Sequence, residues 1–245
     1  DGYWSRGLGD VYKRQRLDIA PSMKGAVVER LLGKFPKGTS PNGGIAYLDR
    51  DGVINIGSPN YINTPEELVL LDGAAHSIAR LKRAGFLVCI VTNQSAITRG
   101  LWDAKQLNEI HNRLQTMLLD VDEDATIDLI VTCPHRQIDR CNCRKPMPGM
   151  LFLGHEVLRN NLAIDDGLNS DVQIADDVCS INWWKSKPEP INELDFIVGD
   201  RKSDLGAGWA RGIRLFKVKA NIGLIQVIER VLNPYDQGDD FQPVR

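Results

Sequence analysis

The chain has 245 residues, enough for one good-sized domain or a domain with an appendage. A net charge of −2 and an apolar share of 42% are ordinary for a globular protein, so no global basic field draws nucleic acid or an anionic membrane, and neither is expected as a partner. No apolar run reaches the length of a membrane span. The five cysteines are an odd number, and three of them crowd into residues 133–143 beside a histidine. That grouping favours a metal site in a reducing, cytoplasmic setting over a disulfide framework.

Residues 1–15 carry neither helical nor strand periodicity. They resemble the in-frame translation of a sequencing adapter and are set aside from fold reasoning. Residues 16–44 read as an extension and linker with one short possible helix over 25–32. From Ile45 onward strands and helices alternate. Residues 45–48 form a short apolar strand, and residues 72–84 carry apolar positions at helical spacing up to Gly85. Residues 86–91 are a continuous apolar run suited to a strand buried on both faces. Asp103 and Gln106 make a capping-box pair opening a helix through Leu107, Ile110, Leu114 and Leu118. Further short strands are predicted over 127–132, 196–198 and 213–218. Helices are predicted over 203–211 and 222–232, before a polar tail. The alternation predicts an α/β fold, a parallel sheet with helices on both faces, over residues 45–220, with a C-terminal helix and tail over 221–245. In such sheets ligands sit beyond the carboxyl ends of the strands.

Four motifs fall just after predicted strands. Asp49-Arg50-Asp51-Gly52-Val53 places two carboxylates two residues apart, where one can attack phosphorus and the other can handle the leaving-group proton. A calcium loop lacks the further ligands it needs, which leaves a solvated turn as the plain alternative. Thr92-Asn93-Gln94-Ser95 offers a hydroxyl and amides for phosphoryl oxygens, although such residues are also common turn formers. Lys145, behind Arg144, can neutralise a transferring phosphoryl group, or it can be an ordinary surface charge. Asp200, with Asp204 one helical turn on, can complete an oxygen set for Mg²⁺, or Asp204 can serve only the helix's first turn.

In this order the motifs resemble the haloacid dehalogenase superfamily of phosphatases. The resemblance implies Asp49 as the nucleophile forming an aspartyl-phosphate and Asp51 as general acid, then base. It implies Thr92 and Lys145 as phosphoryl stabilisers, with Mg²⁺ on Asp49, the Asp51 carbonyl and Asp200. The short spacing between Asp51 and Thr92 leaves no room for a large cap. Cys133, His135, Cys141 and Cys143 form a closed set of three thiolates and one imidazole, which suits a structural Zn²⁺ better than free core cysteines, because the intervening residues are polar. With that loop, the stretches LDRDGVIN, TNQSAITRG and CRKPMPGM are similar to the capless, zinc-containing heptose bisphosphate and histidinol-phosphate phosphatase family.

The stretch 94–100 looks more like the heptose branch. The resemblance implies a small phosphorylated sugar as substrate, met by residues 55–61, Asn93, Gln94, Ser95, Arg99, Arg144 and Arg201. A histidinol-phosphate phosphatase is the alternative. A catalytically silent, zinc-organised binding domain is the reading from another class, although it would have no need of both Asp49 and Asp51. A monomer is expected. Residues 165–194 depart from the family as an insertion, containing Asp176, Asp177, Trp183 and Trp184, and are expected to be a surface excursion with both tryptophans packed on the domain, with a partial lid or an oligomer contact as the alternative.

Overall fold

The computed structural model describes residues 25–31, 33–174 and 181–243. Residues 1–15, Asp176 and Asp177 lie outside this set.

Seven strands form one mixed sheet: β1 (Ala26–Arg30), β2 (Ile45–Leu48), β3 (Leu87–Asn93), β4 (Leu129–Cys133), β5 (Gly167–Val172), β6 (Phe196–Gly199) and β7 (Arg214–Lys217). Their order is β5-β1-β4-β3-β2-β6-β7. The stretch from β4 to β7 is parallel, as the alternating pattern predicts. Strand β2 lies between β3 and β6, so the chain winds outward from it in both directions and leaves a crevice at its carboxyl end.

Alternation along the strands divides the core between two faces. Ala46, Leu48, Val88, Ile90, Phe196 and Val198 pack toward α1 (Ala74–Arg83) and α2 (Ala104–Val121). Ile45, Tyr47, Cys89, Val91 and Ile197 face α3 (Gly149–Leu158) and α4 (Lys202–Ala210). Asp103 caps α2 by accepting from the Gln106 amide at 2.8 Å, while the Gln106 side chain turns to the Asn63 carbonyl instead of closing the box. The last predicted helix breaks into a 3₁₀ turn (Gly223–Gln226) and the short α5 (Ile228–Leu232). Between β2 and α1 there is only a 3₁₀ turn, so the sheet carries no cap there.

Two expectations are corrected. The short helix over 25–32 does not form: Ala26–Arg30 is a strand, antiparallel to β4. Its Val27 and Val28 are β-branched and buried, and the edge of β4 gives its backbone a partner that an isolated short helix would lack. The insertion is also more than a surface excursion, since Gly167–Val172 pairs antiparallel with β1 and becomes the edge strand. Of its tryptophans, Trp183 stacks on Trp209 with ring centroids 5.6 Å apart, but Trp184 is 83% exposed. Helix α3 had no periodicity strong enough to predict it.

Candidate active site

The carboxyl ends of β2, β3 and β6 open into a cavity of about 960 Å³ whose lining includes Asp49, Asp51, Thr92, Lys145, Asp200 and Asp204. Asp49 leaves β2 with its amide on the Val198 carbonyl, while its Oδ1 accepts from the Arg50 amide at 2.8 Å. Gly52 turns the chain back at φ 82°; a Cβ there would stand 3.0 Å from the Asp200 carboxyl, so a side chain would push into the site. At the end of β6, a Cβ on Gly199 would run into Asp204, whose carboxylate accepts from the Arg201 amide at 2.9 Å.

Lys145 is buried, and its Nζ lies 2.8 Å from both Asp49 Oδ1 and Asp204 Oδ1, with a further bond to the Val91 carbonyl. Burial disfavours its charge, but the Asp204 and Asp49 carboxylates outweigh this and hold its pKa above the ordinary lysine value. For Asp49, burial dominates. Together with the Asp204 and Asp51 charges, it pushes the carboxyl up to about 7 against the pull of Lys145. The surface-lysine reading of Lys145 is thereby excluded.

Asp51 is held differently. Burial would raise its pKa, but the Arg50 guanidinium and hydrogen bonds from Asn55, Gln94 and Arg50 hold it below the usual carboxylate range. Arg50 grips it through Nε and Nη2 at 3.0–3.2 Å. Asn55 Nδ2 and Gln94 Nε2 each donate to it at 2.9 Å. Gln94 also donates to Thr92 Oγ1 at 2.9 Å, so one amide ties the second motif to the first.

Asp49, Asp200 and Asp204 each place a carboxylate oxygen within 4.8 Å of the others. Asp200 Oδ1 is buried and has no hydrogen-bond partner, and burial beside Asp204 raises its pKa. A buried carboxylate with one unpaired oxygen, close to two more carboxylates, fits a divalent cation of oxygen preference. The Asp51 side chain is not part of this triad.

Cys133, His135, Cys141 and Cys143 also converge, with S···S and S···N separations of 3.1–3.6 Å. These are edge lengths close to those of a tetrahedron around one metal ion, and the donors are soft. The loop they organise reaches the cavity through Gln137, Arg140 and Arg144.

The other predicted contacts are placed unevenly. Asn93 lines the cavity, but its side chain exchanges hydrogen bonds with the Lys145 backbone. Ser95 Oγ meets the Tyr61 hydroxyl at 3.0 Å, and Arg144 donates to the His135 carbonyl at 2.8 Å. Arg201 lines the rim, whereas exposed Arg99 is not among the cavity-lining residues. Residues 56–59 and Tyr61 form one wall. Sequence reasoning gave no role to Arg50, His111 or Glu29. The available signal was a histidine at a core position of α2, between Leu107 and Leu114.

This connectivity and this carboxylate–lysine centre are those of the haloacid dehalogenase-like fold. A family model described as polynucleotide kinase 3 phosphatase matches residues 53–179, just over half of the chain, and the chain belongs to this haloacid dehalogenase-like family. A relative from Pseudomonas aeruginosa, D-glycero-beta-D-manno-heptose-1,7-bisphosphate 7-phosphatase, is 46% identical over 107 residues, covering 44% of this chain and 59% of that protein. The chain thus spans about three fifths of the length of the curated relatives it matches. The crystal structure of the D,D-heptose 1,7-bisphosphate phosphatase from B. bronchiseptica, complexed with magnesium and phosphate, is 30% identical with a TM-score of 0.55. The match covers 76% of this chain and 85% of that one. A HAD-like phosphatase structure from Mesorhizobium loti, 25% identical, has a TM-score of 0.61 and matches 89% of this chain and 97% of its own.

Proposed function

We propose that the chain is a magnesium-dependent phosphatase that removes the 7-phosphate of D-glycero-D-manno-heptose 1,7-bisphosphate through an aspartyl-phosphate on Asp49. The observation that carries this reading is the buried Lys145 bridging Asp49 and Asp204 in the cavity that Asp51 also lines. A carboxylate fixed by an ammonium and a backbone amide is oriented for in-line attack, and Lys145 offsets charge on the phosphoryl oxygens. In the first step an Asp49 oxygen bonds to phosphorus, the P–O ester bond breaks, and the leaving alkoxide takes a proton from Asp51. An anionic phosphate beside Asp51 favours the protonated form this step needs. In the second step water attacks phosphorus, Asp51 takes its proton, and the acyl phosphate bond breaks to release inorganic phosphate and Asp49. Asp49, Asp200 and the Asp51 backbone carbonyl would hold Mg²⁺, which supplies charge stabilisation to the phosphoryl group.

Thr92 stands beside Lys145 for the phosphoryl oxygens. Asn93, Gln94 and Ser95 shape the wall, and Arg144 and Arg201 serve the second phosphate. The ion of the cysteine–histidine set is a structural Zn²⁺, since four protein ligands leave no open position. The setting is cytoplasmic, where thiols stay reduced. Among the described residues no helix is long and apolar enough to cross a membrane. The protein works as a monomer.

The test is phosphate release with Mg²⁺ from heptose 1,7-bisphosphate and, in parallel, from histidinol phosphate. A strong preference for the bisphosphate is expected, and preference for histidinol phosphate would overturn the substrate. Asp49→Asn is expected to abolish turnover with metal content at the cysteine loop unchanged; full activity in that variant would rule out the covalent route.

A further inference from the structure

Asp51 is one end of a buried chain that runs back to the first strand. Arg50 Nη1 approaches His111 Nε2 at 3.3 Å, and His111 Nδ1 approaches Glu29 Oε1 at 2.6 Å. Asn108 Nδ2 donates to the other Glu29 oxygen at 2.8 Å. Glu29, Arg50 and His111 are fully buried. An arginine carries donors only, so its contact makes Nε2 the acceptor and places the ring proton on Nδ1, facing Glu29. The guanidinium is therefore anchored at both ends, by the Asp51 carboxylate on one side and by His111 on the other.

An arginine has a long, flexible stem, and a fork fixed only by the group it orients would not hold that group in place. Burying a glutamate and a histidine at 0% exposure is costly unless they are paired, and apolar residues of the same volume would serve packing alone equally well.

The geometry points to Glu29 and His111 as positioning residues for Asp51, acting through Arg50 on the proton delivered to the leaving group. This rests on the phosphatase reading, and it gives the first strand, β1, a part in the chemistry. Loss of His111 would free the Arg50 fork and let the Asp51 carboxyl drift, and drift of about 1 Å in a reacting group costs on the order of a hundredfold.

The experiment compares kcat/KM for a sugar bisphosphate and for 4-nitrophenyl phosphate in the full chain with Mg²⁺. kcat/KM covers steps up to departure of the leaving group. A sugar alkoxide needs a proton at that point, whereas nitrophenolate does not. His111→Ala is expected to lower kcat/KM for the sugar ester by roughly 10- to 100-fold, up to the lower end of a full general-acid contribution because Asp51 is displaced and not removed, and for the aryl ester by less than about threefold, since its leaving group needs no proton. His111→Gln, which keeps an acceptor toward Arg50, is expected to recover most of the loss. Glu29→Gln, nearly isosteric, gives the same selective loss in smaller measure and carries the test if the alanine variant does not fold. Equal losses on both esters, or no loss on either, would overturn the inference while leaving the phosphatase reading intact. A wild-type chain that turns over neither ester would overturn both.

Discussion

Cys133 ends β4 and His135, Cys141 and Cys143 follow it in one loop, whereas Asp49, Asp200 and Asp204 are brought together by the ends of β2 and β6, far apart in the chain. The loop donors sit 3.1–3.6 Å from one another. The carboxylates instead have Lys145 between two of them, with 2.8 Å contacts to each. The contrast concerns what does the assembling. In the loop, a shared ion is the natural source of cohesion for the four soft donors. At the carboxylate centre the sheet does the assembling and a lysine already offsets one of the three charges, so a cation completes the site without being needed to form it.

Metal removal sharpens this contrast most. A strong chelator that strips the cysteine loop is expected to cost several kcal/mol, since structural zinc sites supply folding free energy outright. A large fall in the thermal midpoint, in step with released metal, is the expected reading. Removing Mg²⁺ alone is expected to end turnover and leave the midpoint nearly unchanged. If both treatments moved the midpoint equally, the two centres would not differ in the way described.

Lys145→Ala probes the other side. It leaves the Asp49 and Asp204 carboxylates buried without their cation, a change that costs about 3–5 kcal/mol in buried pairs. Because Mg²⁺ would then be the remaining compensating charge, the midpoint of this variant is expected to rise with added Mg²⁺ more than that of the wild type. A variant as stable as the wild type in metal-free buffer would show that Lys145 is not what holds the carboxylates together.

The same contrast explains what could be read from the sequence. The cysteine loop is local, so ligand types and spacing revealed it directly. The carboxylate centre was legible because α/β sheets collect chemistry at strand ends, which made the order of Asp49, Thr92, Lys145 and Asp200 informative. What stayed hidden depends on long-range pairing. Residues 26–30 have no helix or strand signature strong enough on their own, and become a strand because β4 and β5 flank them. Glu29 falls in the stretch expected as a short helix and His111 in the helix opened by Asp103, and only the fold places them together. Trp183 and Trp184 are adjacent in sequence yet meet opposite fates, one stacked on Trp209 and one in solvent.

Asp200→Asn should show the smallest effect, and it runs the other way. Asp200 Oδ1 is buried without a partner, and its carboxyl has a raised pKa because burial and the Asp204 charge both oppose ionisation. Such a group favours the folded state only when protonated, so its ionised form weakens folding. The penalty is absent below the ordinary carboxylate pKa, where folded and unfolded chains are both protonated there, and is complete above the raised value. The asparagine is therefore expected to stabilise the metal-free chain at neutral pH by about 1 kcal/mol, with the gain fading as the pH falls through the carboxylate range. It is also expected to flatten the small response of the midpoint to Mg²⁺. Thermal melts at neutral and acid pH, with and without Mg²⁺, separate these effects. If the variant were less stable than the wild type without metal, Asp200 would be stabilising the fold by itself, and the carboxylate centre would depend on its ligands much as the cysteine loop does.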